Sequence, residues 1–231
     1  MRSEEVSQFY HMGQVLIVAN WKSNKTSVEA KAYLSDFTKN YEAKGNAEVI
    51  ICPSFTSLQA VSEFVLSNGI DVKIGAQNIS PFTDGAYTGE ISAKQASEFA
   101  SYVIIGHSER RENFGESDEL LSRKVELALS TGLVPIFCIQ NENTFVPESV
   151  KIVAYEPIEA IGTGNPDTPE DTQKVATQVK SKNPQVEHVL YGGSVTSENV
   201  RVFLDKPDIA GVLVGGASLD PIEFSSIIKQ C

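Results

Sequence analysis

The chain has 231 residues, with 19 Lys and Arg against 30 Asp and Glu, a net charge of −11 at pH 7, and 41% hydrophobic residues. That balance belongs to a globular protein large enough to need no staples, and it argues against unaided binding to nucleic-acid phosphates, which takes clustered Lys and Arg to release counterions. It does not exclude a small phosphorylated ligand, because screening limits exposed charges to a reach of roughly 8 Å at physiological salt.

The opening MRSEEVSQFYHMGQ is polar and lacks the apolar stretch of a secretory signal. No later run approaches the roughly 18 apolar residues of a membrane helix. Residues 1–12 therefore read as a leader, either a tag remnant or the stretch before an alternative start at Met12, and residues 13–231 as one domain. Cys52, Cys138 and Cys231 show neither a disulfide framework nor a metal-binding spacing, so a reducing compartment, the cytoplasm, is expected.

Eight short β-rich runs follow in order, at residues 15–20, 48–52, 72–77, 102–106, 134–139, 151–155, 188–192 and 211–214. VLIVA, VIIC and VIIG are apolar without alternation, the pattern of strands covered on both faces in a parallel sheet. Amphipathic stretches fill most gaps. Residues 28–41 carry Tyr33, Phe37 and Tyr41 at fourth-residue spacing, and residues 117–130 carry Leu120, Leu121, Val125 and Leu129. Ser117 followed by Asp118 and Glu119 reads as a helix start, with acids at the positive end of the dipole. Pro169, Ser197 and Pro221 mark the starts of later helices. The exception lies between Cys138 and Lys151, where QNENTFVPESV is too short and too interrupted by proline for a full helix. Eight strand-then-helix units without a linker predict an α/β fold, a (β/α)8 TIM barrel with the helix between the fifth and sixth strands reduced, and they fit a doubly wound sheet less well. GTGNPD at Gly162 lacks the third glycine of a dinucleotide loop.

In such a barrel the chemistry sits at the C-terminal ends of the strands. There the sequence places Asn20-Trp21-Lys22, Gly106-His107-Ser108-Glu109, Tyr155-Glu156-Pro157, Tyr191-Gly192-Gly193-Ser194 and Gly215-Gly216. Taken singly, each has a plain reading: Lys22 a solvated cation, His107 a structural histidine, Glu156 a cap for the next turn, the glycine pairs ordinary tight turns. Together, a carboxylate, an imidazole and a fixed cation are what removal of a proton beside a carbonyl requires: a base, a donor to the developing oxyanion, and an electrostatic stabiliser. The glycine-rich turns after the last two strands, with a short helix beginning at Gly216, would offer backbone N–H groups to a phosphate.

At these residues the sequence resembles the triosephosphate isomerase family. The resemblance is carried by ANWK, the pair QN and GAYTGE, IIGHSERR, AYEPIEAIGTG, LYGGSV and LVGGASL, in the family's order from Ala19 to Leu219. It implies an isomerase of glycolysis and gluconeogenesis acting on dihydroxyacetone phosphate and glyceraldehyde 3-phosphate, with neither a metal nor an organic cofactor. The roles that carry over are Glu156 as the base moving a proton between C1 and C2, and His107 as a neutral electrophile before a helix N-terminus. Lys22 would neutralise charge on phosphate and enediolate, Asn20 would add a hydrogen bond, and Glu109 would pair with Lys22. Residues 157–164 look like the family's closing lid, which excludes water, with Gly162 donating to the phosphate and Ser194, Gly215 and Gly216 completing the socket. Family members are usually dimers in which the third loop, here opening at Gln77 and closing at Glu90, inserts into the neighbouring subunit with Thr88 near its site.

The sequence departs from the family pattern at three places. Glu159 stands in the lid where most bacterial and eukaryotic members have Trp, Ile-Gln-Asn stands in place of Ile-Gly-Glu after Cys138, and a helix-sized piece is missing before the sixth strand. These features resemble the shorter archaeal branch, whose members are tetramers, whereas GHSERR and ANWK resemble bacterial members. The lid and the missing helix do not touch the proton-transfer trio, so the same reaction is expected; a dimer is expected ahead of a tetramer, with the shortened face around QNENTFVPESV as the place for a second interface. Two rival readings remain at this point. Another barrel enzyme acting on a sugar or indole phosphate explains the glycine pairs but not Glu156 and His107 in their motifs. A catalytically silent phosphate-binding barrel suits the lost lid Trp and helix, but would not require Asn20, Lys22, His107 and Glu156 together.

Overall fold

The computed structural model describes residues 14–42, 45–157 and 166–231; residues 1–12, expected as a leader, lie outside them. Eight parallel strands pair in chain order: β1 (Val15–Asn20), β2 (Ala47–Cys52), β3 (Lys73–Ala76), β4 (Tyr102–Ile105), β5 (Val134–Ile139), β6 (Ile152–Tyr155), β7 (His188–Tyr191) and β8 (Ile209–Val214). β8 pairs back onto β1 and closes the barrel. Each strand falls on an expected run, with ends moved by a residue or two.

Alternate strand residues divide between two apolar clusters. Leu16, Val18, Ile104, Ile152 and Ala154 fill the barrel interior, while Ile17, Val49, Val103 and Val153 face outward under the helices. Both faces are dry, which is why the runs show no polar alternation. The same period of two runs to the end of β1 and one residue past the end of β6. Asn20 follows Leu16 and Val18, and Glu156 follows Ile152 and Ala154, so both polar side chains are delivered inward at the C-terminal rim.

The outer layer is α1 (Ser27–Asn40), α2 (Phe55–Ser67), α3 (Ala93–Ser97), α4 (Ser108–Phe114), α5 (Asp118–Ser130), α6 (Pro169–Lys182), α7 (Val200–Leu204) and α8 (Pro221–Lys229), with a 3-10 turn at Gly216–Leu219. α1 opens with a capping box, in which Thr26 Oγ1 accepts from the Glu29 N–H and the Glu29 carboxylate accepts from the Thr26 N–H, and it buries Ala30, Tyr33, Leu34 and Phe37. Ser117, Thr168 and Asp220 cap α5, α6 and α8 through their side chains, and Pro169 and Pro221 occupy first positions whose N–H would be unpaired in any case.

Residues 140–151 form no helix, as the sequence predicts. Val146 and Val150 join the outward-facing cluster in its place. Lys182 Nζ, at the end of α6, donates to Glu142 O at 3.1 Å and to Asn143 Oδ1 at 2.7 Å, pinning the irregular segment.

Two expectations shift. Ser197 does not start a helix: its N–H and hydroxyl donate to the Glu223 carboxylate at 2.7 and 2.9 Å, and α7 begins later, after Asn199. On α5 the buried face is Leu121, Lys124, Val125 and Ala128, with Leu120 and Leu129 only half-buried, so a lysine sits where the apolar stripe was expected. Among the described residues no helix is long and apolar enough to cross a membrane.

Candidate active site

Lys22 follows β1 in a left-handed backbone conformation, φ 52°. A lysine gains nothing intrinsically from that region, and such backbone costs about 1–3 kcal/mol and persists only where neighbours over-determine it. Here they do. The Lys22 N–H donates to Asn20 Oδ1 at 3.1 Å, its carbonyl accepts from Gln77 Nε2 at 2.9 Å, and its Nζ lies 2.5 Å from Glu109 Oε1. Gln77 Nε2 also donates to Cys52 O at 2.9 Å, so a single amide ties the Lys22 turn to the end of β2. Glu109 is thus beside Lys22, as the resemblance implies.

His107 owes its place to Gly106, whose φ of 73° turns the chain sharply off β4. His107 becomes the N-cap of α4, with Nδ1 accepting the Glu109 N–H at 3.2 Å. An acceptor at Nδ1 assigns the remaining ring proton of a neutral imidazole to Nε2. That Nε2 lies 2.8 Å from Glu156 Oε1, while Glu156 Oε2 accepts the Ser108 N–H at 2.9 Å. Glu156 is 1% exposed and His107 6%. Gly192 makes room for this carboxylate, since a Cβ there would stand 3.0 Å from Glu156 Cγ and 3.1 Å from Tyr155 O.

Asn20, Lys22, His107, Glu156, Ser194, Gly215 and Gly216 line one cavity of about 220 Å³. Of the residues singled out in the sequence, Gly162 and Glu159 lie outside the described residues, as does the lid apart from Pro157. Below Glu156, burial pushes the Cys138 thiol well above its usual range and the carboxylate adds to the effect. Burial raises the Cys52 thiol likewise, which favours the protonated thiol over the nucleophilic thiolate at both positions. Among the described residues no three His, Cys, Asp or Glu side chains gather as metal ligands.

Sequence reasoning missed three supports. In the sequence Gln77 reads only as the opening of a loop. The Ser108 N–H holds Glu156 because it is the first amide of α4, a role that position after a strand could have signalled. Arg111 spans two strand ends, donating from Nε to Gly106 O at 2.8 Å and from Nη2 to Cys138 O at 3.2 Å, with Asp118 3.0 Å from Nη1.

The chain matches the family model described as Triosephosphate isomerase over residues 15–231. It is 42% identical over 243 aligned residues to the triosephosphate isomerase of Aquifex aeolicus (strain VF5), covering 92% of this chain and 98% of that protein. It is 40% identical to that of Hahella chejuensis (strain KCTC 2396), covering 94% and 98%, and 40% identical to that of Symbiobacterium thermophilum, covering 92% and 94%. An alignment of 243 positions is longer than this chain of 231 residues, so it opens gaps in it, in keeping with the shortened stretch before β6. The match runs from the first strand to the last residue and spans nearly all of each relative, so no part of the barrel is left to another ancestry: the chain belongs to the triosephosphate isomerase family.

Proposed function

We propose that this chain interconverts dihydroxyacetone phosphate and D-glyceraldehyde 3-phosphate by proton transfer through an enediolate, without a cofactor. The observation that carries the reading is the 2.8 Å contact between His107 Nε2 and the Glu156 carboxylate, in the cavity that also holds Lys22 and Gly215-Gly216. The carboxylate takes a proton from the carbon beside the carbonyl, and the electron pair moves onto the carbonyl oxygen as the carbon–carbon double bond forms. Nε2–H donates to that oxyanion and Lys22 offsets its charge. Carbonyl and hydroxyl exchange places when a proton passes between the two oxygens beside Nε2, and Glu156 returns its proton to the neighbouring carbon. Before this, Glu156 must leave His107 and Ser108. A substrate carbonyl that takes over the Nε2–H frees Oε1 to meet the C–H bond.

Lys22, Asn20, Ser194, Gly215 and Gly216 hold the phosphate end, with Gly162 adding a lid N–H, and Glu109 orients the Lys22 ammonium. A coupled assay for conversion of glyceraldehyde 3-phosphate tests the reading: turnover far above background is expected, whereas phosphate binding without turnover would mark a silent barrel. Lys22→Met removes a charged donor worth about 1.5–3 kcal/mol. It is expected to raise KM and lower kcat together, for a loss of roughly tenfold to a hundredfold in kcat/KM. A loss confined to kcat would remove Lys22 from phosphate binding.

The chain is further proposed to work in the cytoplasm as a homodimer. The loop opening at Gln77 carries exposed Thr88 and is braced by Phe82 stacked on Tyr87 at 4.2 Å and by Asp84 accepting from the Ser92 hydroxyl at 2.6 Å. A cavity of about 280 Å³ beside Lys22, lined by Ser54, Gln77, Glu109 and Phe114, suits the partner's loop. Light scattering is expected to give a dimer; a monomer at working concentration would reject the insertion.

A further inference from the structure

Lys25 is the only described non-glycine residue besides Lys22 with a left-handed backbone, φ 66°, and both stand in the loop between β1 and α1. Like Lys22 it is held from several sides. Its carbonyl accepts from the hydroxyl of fully buried Ser57 at 2.9 Å. Its side chain crosses two buried rings, with Nζ 4.7 Å from the Tyr33 centroid and 5.5 Å from that of Trp21, and ends on Leu219 O at 2.9 Å. Leu219 is the last residue of the 3-10 turn that begins at Gly216, so the ammonium satisfies a carbonyl that the turn itself leaves open. Burial draws the Lys25 ammonium below its ordinary range, against the pull of Glu29 and Asp220. A partly desolvated ammonium bonds its carbonyl more strongly than one in water.

The far end of that turn faces the cavity, and the turn is stiff. Ser218 donates to Gly215 O twice, from its N–H at 2.9 Å and its hydroxyl at 2.7 Å, so fixing Leu219 also fixes Gly215 and Gly216. Lys22, three residues before Lys25 in the same loop, lies beside that end: a Cβ at Gly215 would stand 3.6 Å from Lys22 Cε. The two halves of the phosphate socket come from opposite ends of the chain; β1 and β8 pair as far as Ala19 and Val214, and beyond the strands the Lys25–Leu219 bond, across 194 residues, ties the two loops together.

The geometry points to Lys25 as a positioning residue that sets the spacing between Lys22 and the Gly215-Gly216 turn, and so the affinity for the substrate's phosphate, without touching the substrate. The inference rests on the phosphate socket proposed above.

The test compares the full-length protein with Lys25→Met, Lys25→Gly and Lys25→Arg. Binding of inorganic phosphate is read by titration calorimetry, KM and kcat by the coupled assay, and Tm by thermal unfolding. Lys25→Gly matters most, because glycine accepts the left-handed backbone without strain, and that relief offsets part of the stability lost with the ammonium. The Met and Gly variants are expected to weaken phosphate binding and raise KM by about fivefold, the worth of one hydrogen bond. kcat stays unchanged, and Arg, which carries a donor of similar reach, restores affinity. Wild-type phosphate affinity and KM in Lys25→Gly would overturn the inference, as would a loss that falls on kcat alone or that tracks Tm across the variants. Phosphate binding by an unmodified protein that shows no turnover would strike the isomerase reading instead and leave the calorimetric comparison of the variants to decide on Lys25.

Discussion

Replacing Glu156 with aspartate is expected to lower kcat about a hundredfold while KM changes little, because a misplacement of about 1 Å at a reacting group can cost about that factor. The backbone cannot compensate. The Glu156 N–H donates to Ile139 O at 2.8 Å, which anchors the residue to β5, and its methylene stack is fitted against Gly192. Shortening the side chain by one carbon therefore withdraws the carboxylate toward the barrel floor and away from His107 Nε2. The phosphate end is held by other residues, so binding in the ground state survives. Steady-state kinetics of the purified variant separates the two quantities. Equal losses in kcat and in affinity would mean that another group is the base, and loss of the barrel's circular dichroism would move the test to Glu156→Gln, which keeps shape and removes only basicity.

The strands were legible because both faces of each are dry, so the sequence carries unbroken apolar runs that no surface strand would tolerate. The helix-free stretch before β6 was legible for a different reason: Pro147 and the short span leave no room for a helix. Asn20, Lys22, His107 and Glu156 could be picked out because they stand in motifs at strand ends, where side chains converge whatever their separation along the chain. What stayed hidden depends on neighbours brought in by closure of the barrel. Nothing in the sequence around Gln77 says that its amide will meet the Lys22 carbonyl, 55 residues away. Ser197 looked like a helix start because local pattern favours it, yet a carboxylate from α8, Glu223, takes both its donors. Charges read as solvated unless structure says otherwise, and Lys124 on α5 was hidden by that rule.

Glu116→Ala is expected to destabilise the fold by about 3–5 kcal/mol, the cost of leaving one member of a buried ion pair without its counter-charge. Lys124 is 2% exposed and its side chain runs inward among apolar neighbours on α5. Its Nζ lies 2.6 Å from Glu116 Oε1 and 2.6 Å from Asn78 Oδ1, and the same Oε1 accepts from Arg110 Nε at 2.7 Å. Burial already lowers the Lys124 pKa, with the Glu116 hydrogen bond and charge opposing the shift. Deleting Glu116 removes that opposition, so the folded state binds its proton less tightly still. Where a folded-state pKa lies below the unfolded value, the unfolded chain holds more protons and stability rises with pH. The defect in Glu116→Ala should therefore shrink as pH climbs toward the ordinary lysine range, where Lys124 is neutral in both states. Adding Lys124→Met should recover most of the loss, since an apolar side chain needs no partner there. Denaturant unfolding at several pH values reads both effects. A defect independent of pH and not relieved in the double variant would show that the carboxylate acts by shape and not by charge. The cluster also connects stability to chemistry: Arg110 sits on α4, which His107 caps, and Asn78 adjoins Gln77, which holds Lys22. One buried carboxylate thus braces the supports of both the imidazole and the cation, and its removal should lower activity in the folded fraction as well as the amount that folds.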